Sequence, residues 1–101
     1  MEKINFDSEY VKPILQRGKR TTIRKGIKKY SGNVLLTSDG SVFAEAKIKK
    51  VVVKRVKELT DEDARTDGFG NLEELLSALK RIYGNLDENE FVTIVYFEIP
   101  D

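Results

Sequence analysis

The chain of 101 residues contains no cysteine and no histidine. These two absences exclude disulfide bonds, zinc sites built on Cys or His, Cys–His nucleophile pairs, Ser–His–Asp triads and imidazole acid–base catalysis. Any catalysis must therefore use Lys, Thr, Ser, Tyr, Asp or Glu side chains. We predict neither a metal site nor a cofactor.

Long apolar runs are also missing. No window approaches the roughly 18 apolar residues that a membrane-spanning helix needs. The first residues, MEKINFDSEY, include acidic side chains and lack the apolar region of a signal peptide. We therefore expect no membrane partner and a cytoplasmic protein. With one methionine and one glutamine among many Lys and Glu residues, the composition is typical of proteins from hot environments.

What is present is the composition of a folded domain, 40% hydrophobic and 35% charged. A chain of this length can bury roughly two-thirds of its unfolded surface around one core. We predict a single domain over residues 1–101, with a monomer favoured.

The net charge of +1 conceals an uneven distribution. Residues 1–57 contain 15 Lys or Arg against 5 Asp or Glu, about +10, whereas residues 58–101 contain 3 against 12, about −9. Two runs without an acidic residue cause the positive half: the first basic run, residues 17–29, and the second basic run, residues 47–57. If they meet in space they form a polyanion site. The alternative is a pair of solvated lysine-rich faces, partly neutralised by the acidic half.

Hydrophobic periodicity predicts the elements. Apolar residues at helical spacing indicate a helix ended by Gly18, a second capped by Thr60, and a third that begins after Asn71 and ends at Gly84. Extended segments are predicted at residues 4–6, 21–24, 34–37, 41–56 and 91–99, with a hairpin turn at residues 38–40. Helices and strands without a regular βαβ rhythm predict an α+β fold, a small mixed β-barrel with two to three flanking helices.

The segment ILQRGKRTTIRKG, residues 14–26, joins a helix to a strand. Side chains at such a junction can converge on a ligand. Lys and Arg supply donors for phosphate or carbonyl oxygens, and a threonine hydroxyl can act as a nucleophile if a base removes its proton. The alternative is a hairpin edge that its charges protect from aggregation.

At this segment the chain resembles the activating-signal-cointegrator homology (ASCH) domain family, over nearly its whole length. The similarity is carried by Ile14, Leu15, Gly18, Lys19, Thr22, Ile23 and Arg24, by Gly32 and Asn33 before a strand, by LTDEDARTDGF at residues 59–69, by a Leu-Glu-Glu-Leu helix ending in Tyr83, and by the strand FVTIVYFEI. The resemblance implies a β-barrel of the PUA (pseudouridine-synthase and archaeosine-transglycosylase) type, with a pocket at the barrel mouth and a basic cleft suited to RNA.

The resemblance also implies amide hydrolysis as a chemistry for this site. A small bacterial branch of the family hydrolyses acetylcytidine at its exocyclic amide with a lysine, a threonine and a glutamate. These correspond to Lys19, Thr22 and, with a side chain one methylene shorter, Asp67. The alternative for Asp67 is a turn residue before Gly68, and Lys19 and Thr22 can equally bind a base or phosphate without reacting.

Three hypotheses from different classes follow. The first is an RNA-binding domain with a pocket for a nucleotide or modified base; the second is an amidohydrolase acting on acetylcytidine or a related nucleoside; the third is a protein-interaction domain. For nucleic-acid binding we predict Lys19, Arg20, Arg24, Lys25, Lys28, Lys29, Lys49, Lys50 and Lys54. Tyr30 and Phe69 are candidates for stacking on a base, although most aromatic residues in small domains pack in the core or at its rim.

Overall fold

The computed structural model describes all 101 residues. Its strands are β1 (Glu2–Asn5), β2 (Thr21–Lys25), β3 (Asn33–Ser38), β4 (Ser41–Arg55) and β5 (Phe91–Glu98), and its helices are α1 (Val11–Leu15), α2 (Asp61–Thr66) and α3 (Leu72–Tyr83). Each predicted element is therefore present. None of the helices combines the length and the hydrophobicity that a membrane-spanning helix requires.

The five strands form one mixed sheet in the order β1-β3-β4-β5-β2, curled into a half-barrel. β1 pairs with β3 in parallel, and the other three pairings are antiparallel. The predicted hairpin turn joins β3 to β4, because Asp39 and Gly40 both adopt the positive φ angles of a two-residue turn. The α+β fold with a barrel-like sheet is confirmed, and β1 and β2 are its two edges.

β4 is one continuous strand of 15 residues. Its pairing with β5 shifts register between Ile48 and Lys50, where a bulge lets the strand bend. This bend lets a single strand pair with β3 along its first half and with β5 along its second half.

Two hydrophobic clusters fill the interior. One contains Ile4, Phe6, Ile14, Val34, Leu36, Ala46 and Phe97, and it lies among β1, α1, β3 and β4. The other contains Ile23, Leu59, Ala64, Leu75, Leu79, Val92 and Ile94, and it joins α2 and α3 to the sheet. Because β5 contributes to both clusters, it is buried on both faces, as its continuous apolar sequence predicts.

Local signals place the helix ends. Thr60 accepts a hydrogen bond from the Asp63 amide, and the Asp63 carboxylate accepts one from the Thr60 amide, so the predicted capping box of α2 is formed. Asn71 caps α3 by accepting a hydrogen bond from the Glu74 amide, whereas the Glu74 carboxylate accepts from the Gly70 amide instead of closing a capping box with Asn71. At the end of α1 the left-handed residue is Arg17, with φ of 64°, and not the neighbouring Gly18.

Candidate ligand-binding pocket

A cavity of about 190 Å³ lies between the two edge strands of the sheet. Its walls come from three parts of the chain: the end of β1 and the turn after it, strand β2 with Lys19, and the α2–α3 region. The polar and aromatic residues that line it are Asn5, Phe6, Asp7, Tyr10, Lys19, Thr22, Arg24, Asp67, Phe69 and Tyr83. The rest of its wall is apolar and comes largely from α3.

The pocket wraps around the open edge of β2. In the pairing with β5, Thr21 lies opposite Tyr96 and Ile23 opposite Ile94, so their side chains point to the face that α2 and α3 cover. The side chains of Thr22 and Arg24 point to the opposite face. Residues from both faces can reach one cavity because no further strand pairs with β2 on this side.

A buried ion pair lies at the base of this pocket. The Lys19 ammonium is 3.0 Å from Asp67 Oδ2 and donates to the Asp67 carbonyl at 3.1 Å. The Thr21 hydroxyl donates to Asp67 Oδ1 at 2.8 Å. Both charged side chains are only 5% exposed. Asp67 thus ends α2 just before Gly68, as the turn interpretation expects, and also directs its carboxylate to Lys19.

Burial shifts both members of the pair toward their neutral forms. Desolvation lowers the pKa of Lys19, and the charge of Asp67 opposes that shift. Desolvation likewise raises the pKa of Asp67, against the opposing effects of Lys19 and the Thr21 hydrogen bond. A lysine of this kind can exchange a proton with a ligand more readily than an exposed lysine.

Thr22 and Arg24 form a second polar group in the pocket. Arg24 Nε donates to the Thr22 hydroxyl oxygen at 2.9 Å, and its Nη2 donates to the Asn5 carbonyl at 2.8 Å. The Arg24 guanidinium also lies 5.2 Å from the centre of the Phe6 ring. Arg24 therefore bridges the gap between the edge strands β1 and β2, which do not pair with each other.

Two aromatic rings cover the Lys19 ammonium. Tyr10 and Phe69 pack edge to face with their ring centres 6.3 Å apart. The ammonium is 5.0 Å from the centre of the Tyr10 ring and 5.9 Å from that of Phe69. Burial raises the pKa of Tyr10, so its phenol stays protonated at neutral pH. The pocket thus combines flat apolar surface with cationic donors.

The rest of the first basic run lies outside the pocket. Arg20 is exposed and lines a second cavity, on the other side of Lys19. Lys25, Lys28 and Lys29 are exposed and follow directly after Arg24. Their loop is anchored because Thr93 Oγ1 accepts from the Lys28 amide and donates to the Gly26 carbonyl.

The predicted basic residues of the second run lie on β4, which β5 separates from β2 in the sheet. Lys54 pairs with Asp63 at 2.7 Å and Lys49 with Glu98 at 3.2 Å, while the Lys50 ammonium lies 4.4 Å from the centre of the Tyr96 ring. None of these lysines lines the pocket. The structure therefore brings together Lys19, Thr22, Arg24, Asp67 and Phe69, but not the second basic run.

Tyr30 also lies apart from the pocket. Its half-buried side chain packs against the hydrophobic cluster that contains Phe6 and Val34. The stacking role of Phe69 gains geometric support from its position beside Lys19, and that of Tyr30 gains none.

Sequence reasoning did not assign Tyr10 or Asn5 to the site, and it placed Thr21 in the helix–strand junction without a specific role. Only the folding of α1 toward the α2–α3 loop places Tyr10 beside Phe69. Thr21 had one available signal: strand alternation puts it on the opposite face from Thr22, toward the helix that ends at Asp67.

Comparison with known proteins agrees with this architecture. A model of the ASCH domain family matches residues 2–100. The chain belongs to the ASCH domain family. The family assignment covers almost every residue, including all those that line the pocket.

Solved structures show the same ASCH fold. The ASCH domain from Lactobacillus crispatus superposes with a TM-score of 0.77 at 16% identity, over 88% of this chain and 69% of that chain. A hypothetical protein, PH0355, gives a TM-score of 0.73 at 18% identity over 99% of this chain and 100% of that one. An ASCH protein variant from Zymomonas mobilis gives 0.65 at 16% identity, over 95% and 67%. A search of curated proteins finds no match.

Proposed function

We propose that this ASCH domain binds RNA and takes one unpaired base into the pocket between β1 and β2. One observation carries the proposal: an aromatic pair and two cationic side chains line a small cavity, and exposed lysines follow it directly along the chain. Sequence-specific RNA proteins commonly hold a splayed base by stacking and edge hydrogen bonds, while Lys and Arg contact the phosphates.

The size of the pocket limits the ligand. Its volume of about 190 Å³ is below the roughly 300–1,000 Å³ of pockets for drug-sized molecules. A single base or nucleoside suits that space. Tyr10 and Phe69 offer ring surface for stacking, and Asn5 and Arg24 offer polar groups for a base edge.

The first basic run is the better candidate for the phosphate contacts. Lys25, Lys28 and Lys29 are exposed and make no ion pair in the structure. Lys49 and Lys54 are already paired with carboxylates, which reduces the charge they present to a polyanion. We therefore assign the second run a smaller share of the binding.

The proposal is tested by titrating the protein with short single-stranded and structured RNAs over a salt series. We expect affinity to fall steeply with salt, and the Lys25→Glu/Lys28→Glu variant to lose at least tenfold in affinity at low salt, with a smaller salt slope. Phe69→Ala should weaken binding by about 1–3 kcal/mol through lost stacking.

The matched control is Lys12→Glu/Lys80→Glu, which changes the net charge by the same amount at exposed positions outside both basic runs and away from the pocket. Equal losses in both double variants would show non-specific attraction and contradict a localised footprint. No binding to any RNA at low salt would refute the proposal.

The buried pair Lys19–Asp67 favours a second candidate, hydrolysis of the exocyclic amide of acetylcytidine or a related nucleoside. The Thr22 hydroxyl would attack the acyl carbon as Lys19 takes its proton. The C–N bond then breaks, the leaving amine takes a proton from Asp67 or Lys19, and water hydrolyses the acyl ester on Thr22 to free acetate. In the structure Thr22 Oγ1 accepts a hydrogen bond from Arg24 and makes none to Lys19. The attack therefore requires the Thr22 side chain to change rotamer when the ligand binds.

The enzyme candidate is tested with free acetylcytidine. Hydrolysis at a nucleoside-sized site would be established if the wild-type protein consumes the nucleoside. Lys19→Ala and Thr22→Val should abolish that activity, and Lys25→Glu/Lys28→Glu should retain it. No turnover by wild-type protein that binds the nucleoside would leave binding as the function.

A further inference from the structure

A second cavity, of about 250 Å³, lies on the other side of the Lys19 segment. It is bounded by the end of α1 and by the chain that follows β5. Three cationic residues, Arg17, Lys19 and Arg20, contribute to its wall, together with the acidic residues Glu98 and Asp101. Lys19 is the only residue that lines both this cavity and the pocket described above.

The backbone of Arg17 is in an unusual conformation. Its φ of 64° lies in the left-handed region, which glycine adopts without strain and arginine does not. The amides of Gly18 and Lys19 both donate to the Pro13 carbonyl and close the end of α1 around this residue. A strained side-chain-bearing residue held in place by its surroundings indicates a use for that side chain.

The Arg17 guanidinium already holds an anion. Its Nη2 contacts Asp101 Oδ1 at 2.8 Å, and its Nη1 donates to the Leu15 carbonyl at 3.1 Å. The Asp101 side chain is 99% exposed, so nothing apart from this contact fixes the carboxylate in place. Exposed ion pairs of this kind are weak, and a phosphate oxyanion with more charge can displace the carboxylate.

Arg20 supplies a second guanidinium from a backbone position that is held in place. Its amide donates to the Thr66 carbonyl and its own carbonyl accepts from the Phe97 amide, so the backbone is held from two sides. The Arg20 side chain is exposed and forms no ion pair. The opposing charge of Glu98 is partly compensated by Lys49, 3.2 Å away.

We propose that this second cavity is a phosphate site, in which Arg17 and Arg20 hold the oxyanion and the Asp101 carboxylate occupies the site until a phosphate group displaces it. The phosphate belongs either to a free anion or to a nucleotide. The proposal requires only the second cavity and does not depend on base binding in the first.

The test measures binding of inorganic phosphate, cytidine and cytidine monophosphate by titration calorimetry at low salt. Wild-type protein should bind inorganic phosphate, or bind the monophosphate more tightly than cytidine. Arg17→Gly should lose this phosphate-dependent affinity by roughly tenfold. Because glycine suits the left-handed backbone, that variant should unfold at the same temperature as wild type or higher, which separates lost binding from misfolding. Asp101→Asn should bind phosphate several-fold more tightly, since the competitor has lost its charge.

The matched control is Lys12→Gln, which removes one exposed positive charge on α1 at a position that does not line the cavity. Binding of inorganic phosphate, without tighter binding of the monophosphate than of cytidine, assigns a free anion. Tighter binding of the monophosphate than of cytidine, without binding of inorganic phosphate, assigns a nucleotide. Equal affinity for cytidine and its monophosphate, with no binding of inorganic phosphate, would overturn the phosphate site and leave the base pocket intact. Unchanged phosphate binding in both Arg17→Gly and Asp101→Asn would also overturn it.

Discussion

The two basic runs look alike in the sequence but have different environments in the fold. The first run, residues 17–29, passes from α1 along the edge strand β2, and its side chains Lys19 and Arg24 enter a pocket. The second run, residues 47–57, lies on strand β4, where Lys49 meets an exposed carboxylate and the partly exposed Lys54 meets the buried carboxylate of Asp63. Charge density along a chain therefore does not by itself locate a binding site.

What packs beside each strand explains the contrast. Along the second run, beyond Lys47, β4 pairs with β5 but no longer with β3, and the lysines of this half do not line the pocket beside β2. β2 has one free edge, and the turn after β1 and helix α3 approach that edge to form a cavity. The acidic second half of the chain compensates both runs, but only the Lys19–Asp67 pair has both side chains buried, since Lys54 is 27% exposed beside the buried Asp63.

The largest expected difference concerns the ion pairs. Asp67→Ala should destabilise the protein by about 3–5 kcal/mol because it leaves the Lys19 ammonium buried without its carboxylate. Glu98→Ala, which breaks the exposed pair with Lys49, should cost less than about 1 kcal/mol. Chemical denaturation followed by circular dichroism measures both.

A double variant checks that reason. Lys19→Met with Asp67→Leu removes both buried charges, and we expect it to recover most of the stability that Asp67→Ala loses. If Asp67→Ala and Glu98→Ala had equal small effects, the buried pair would not differ from the surface pair and the contrast would fail.

The next effect concerns the hydroxyl that holds Asp67. Thr21→Val keeps the side-chain shape but leaves Asp67 Oδ1 without its donor, and we expect a loss of about 1–3 kcal/mol in the free energy of unfolding. Thr66→Val is the matched control, because the Thr66 hydroxyl donates to a helix carbonyl at an exposed place. A loss no larger than that of the control would show that Thr21 does not support the carboxylate.

The pH dependence of stability tests the Lys19–Asp67 pair. The reference is the Lys19→Met/Asp67→Leu variant, which lacks both charges. Because burial raises the pKa of Asp67 above 3.8, the folded state binds more protons there, and wild-type stability should fall relative to the reference as pH rises from 3.8 through that pKa. Because burial lowers the pKa of Lys19 below 10.5, the unfolded state binds more protons, and relative stability should rise as pH approaches 10.5. Parallel stability curves across both windows would contradict the assigned shifts.

The smallest effect concerns salt. The cost of Lys49→Ala should be a few tenths of a kcal/mol at low ionic strength and should vanish in high salt, because exposed charges are screened. The cost of Asp67→Ala should change little with salt, since water and ions are excluded from that pair. Similar salt sensitivity of the two variants would remove the distinction between the two regions.

Most of the fold was predictable because its signals are local. The Thr60 cap, the Asp39–Gly40 turn and the apolar face of α3 each depend on residues a few positions apart. The left-handed residue that follows α1 was expected one position late, since it is Arg17 and not Gly18. Glycine normally takes the left-handed position, so the sequence offered no reason to expect arginine there.

The candidate site was predictable only in part. The resemblance to ASCH domains pointed to Lys19, Thr22 and Asp67, and all three line one pocket. It did not predict that Asp67 Oδ1 accepts from Thr21, or that Thr22 is engaged by Arg24 rather than by Lys19. These contacts depend on which face of β2 each side chain occupies and on where the distant α2 ends.

Neighbours along the chain are enough to specify the elements, their caps and turns, and the uneven charge. Which charges are buried depends on the three-dimensional packing, since Lys19 and Asp67 are 48 positions apart and meet through the packing of α2 against the edge of β2. Burial changes the energy of a charge far more than its sequence neighbours do. For that reason two similar basic runs became a pocket and a solvated face.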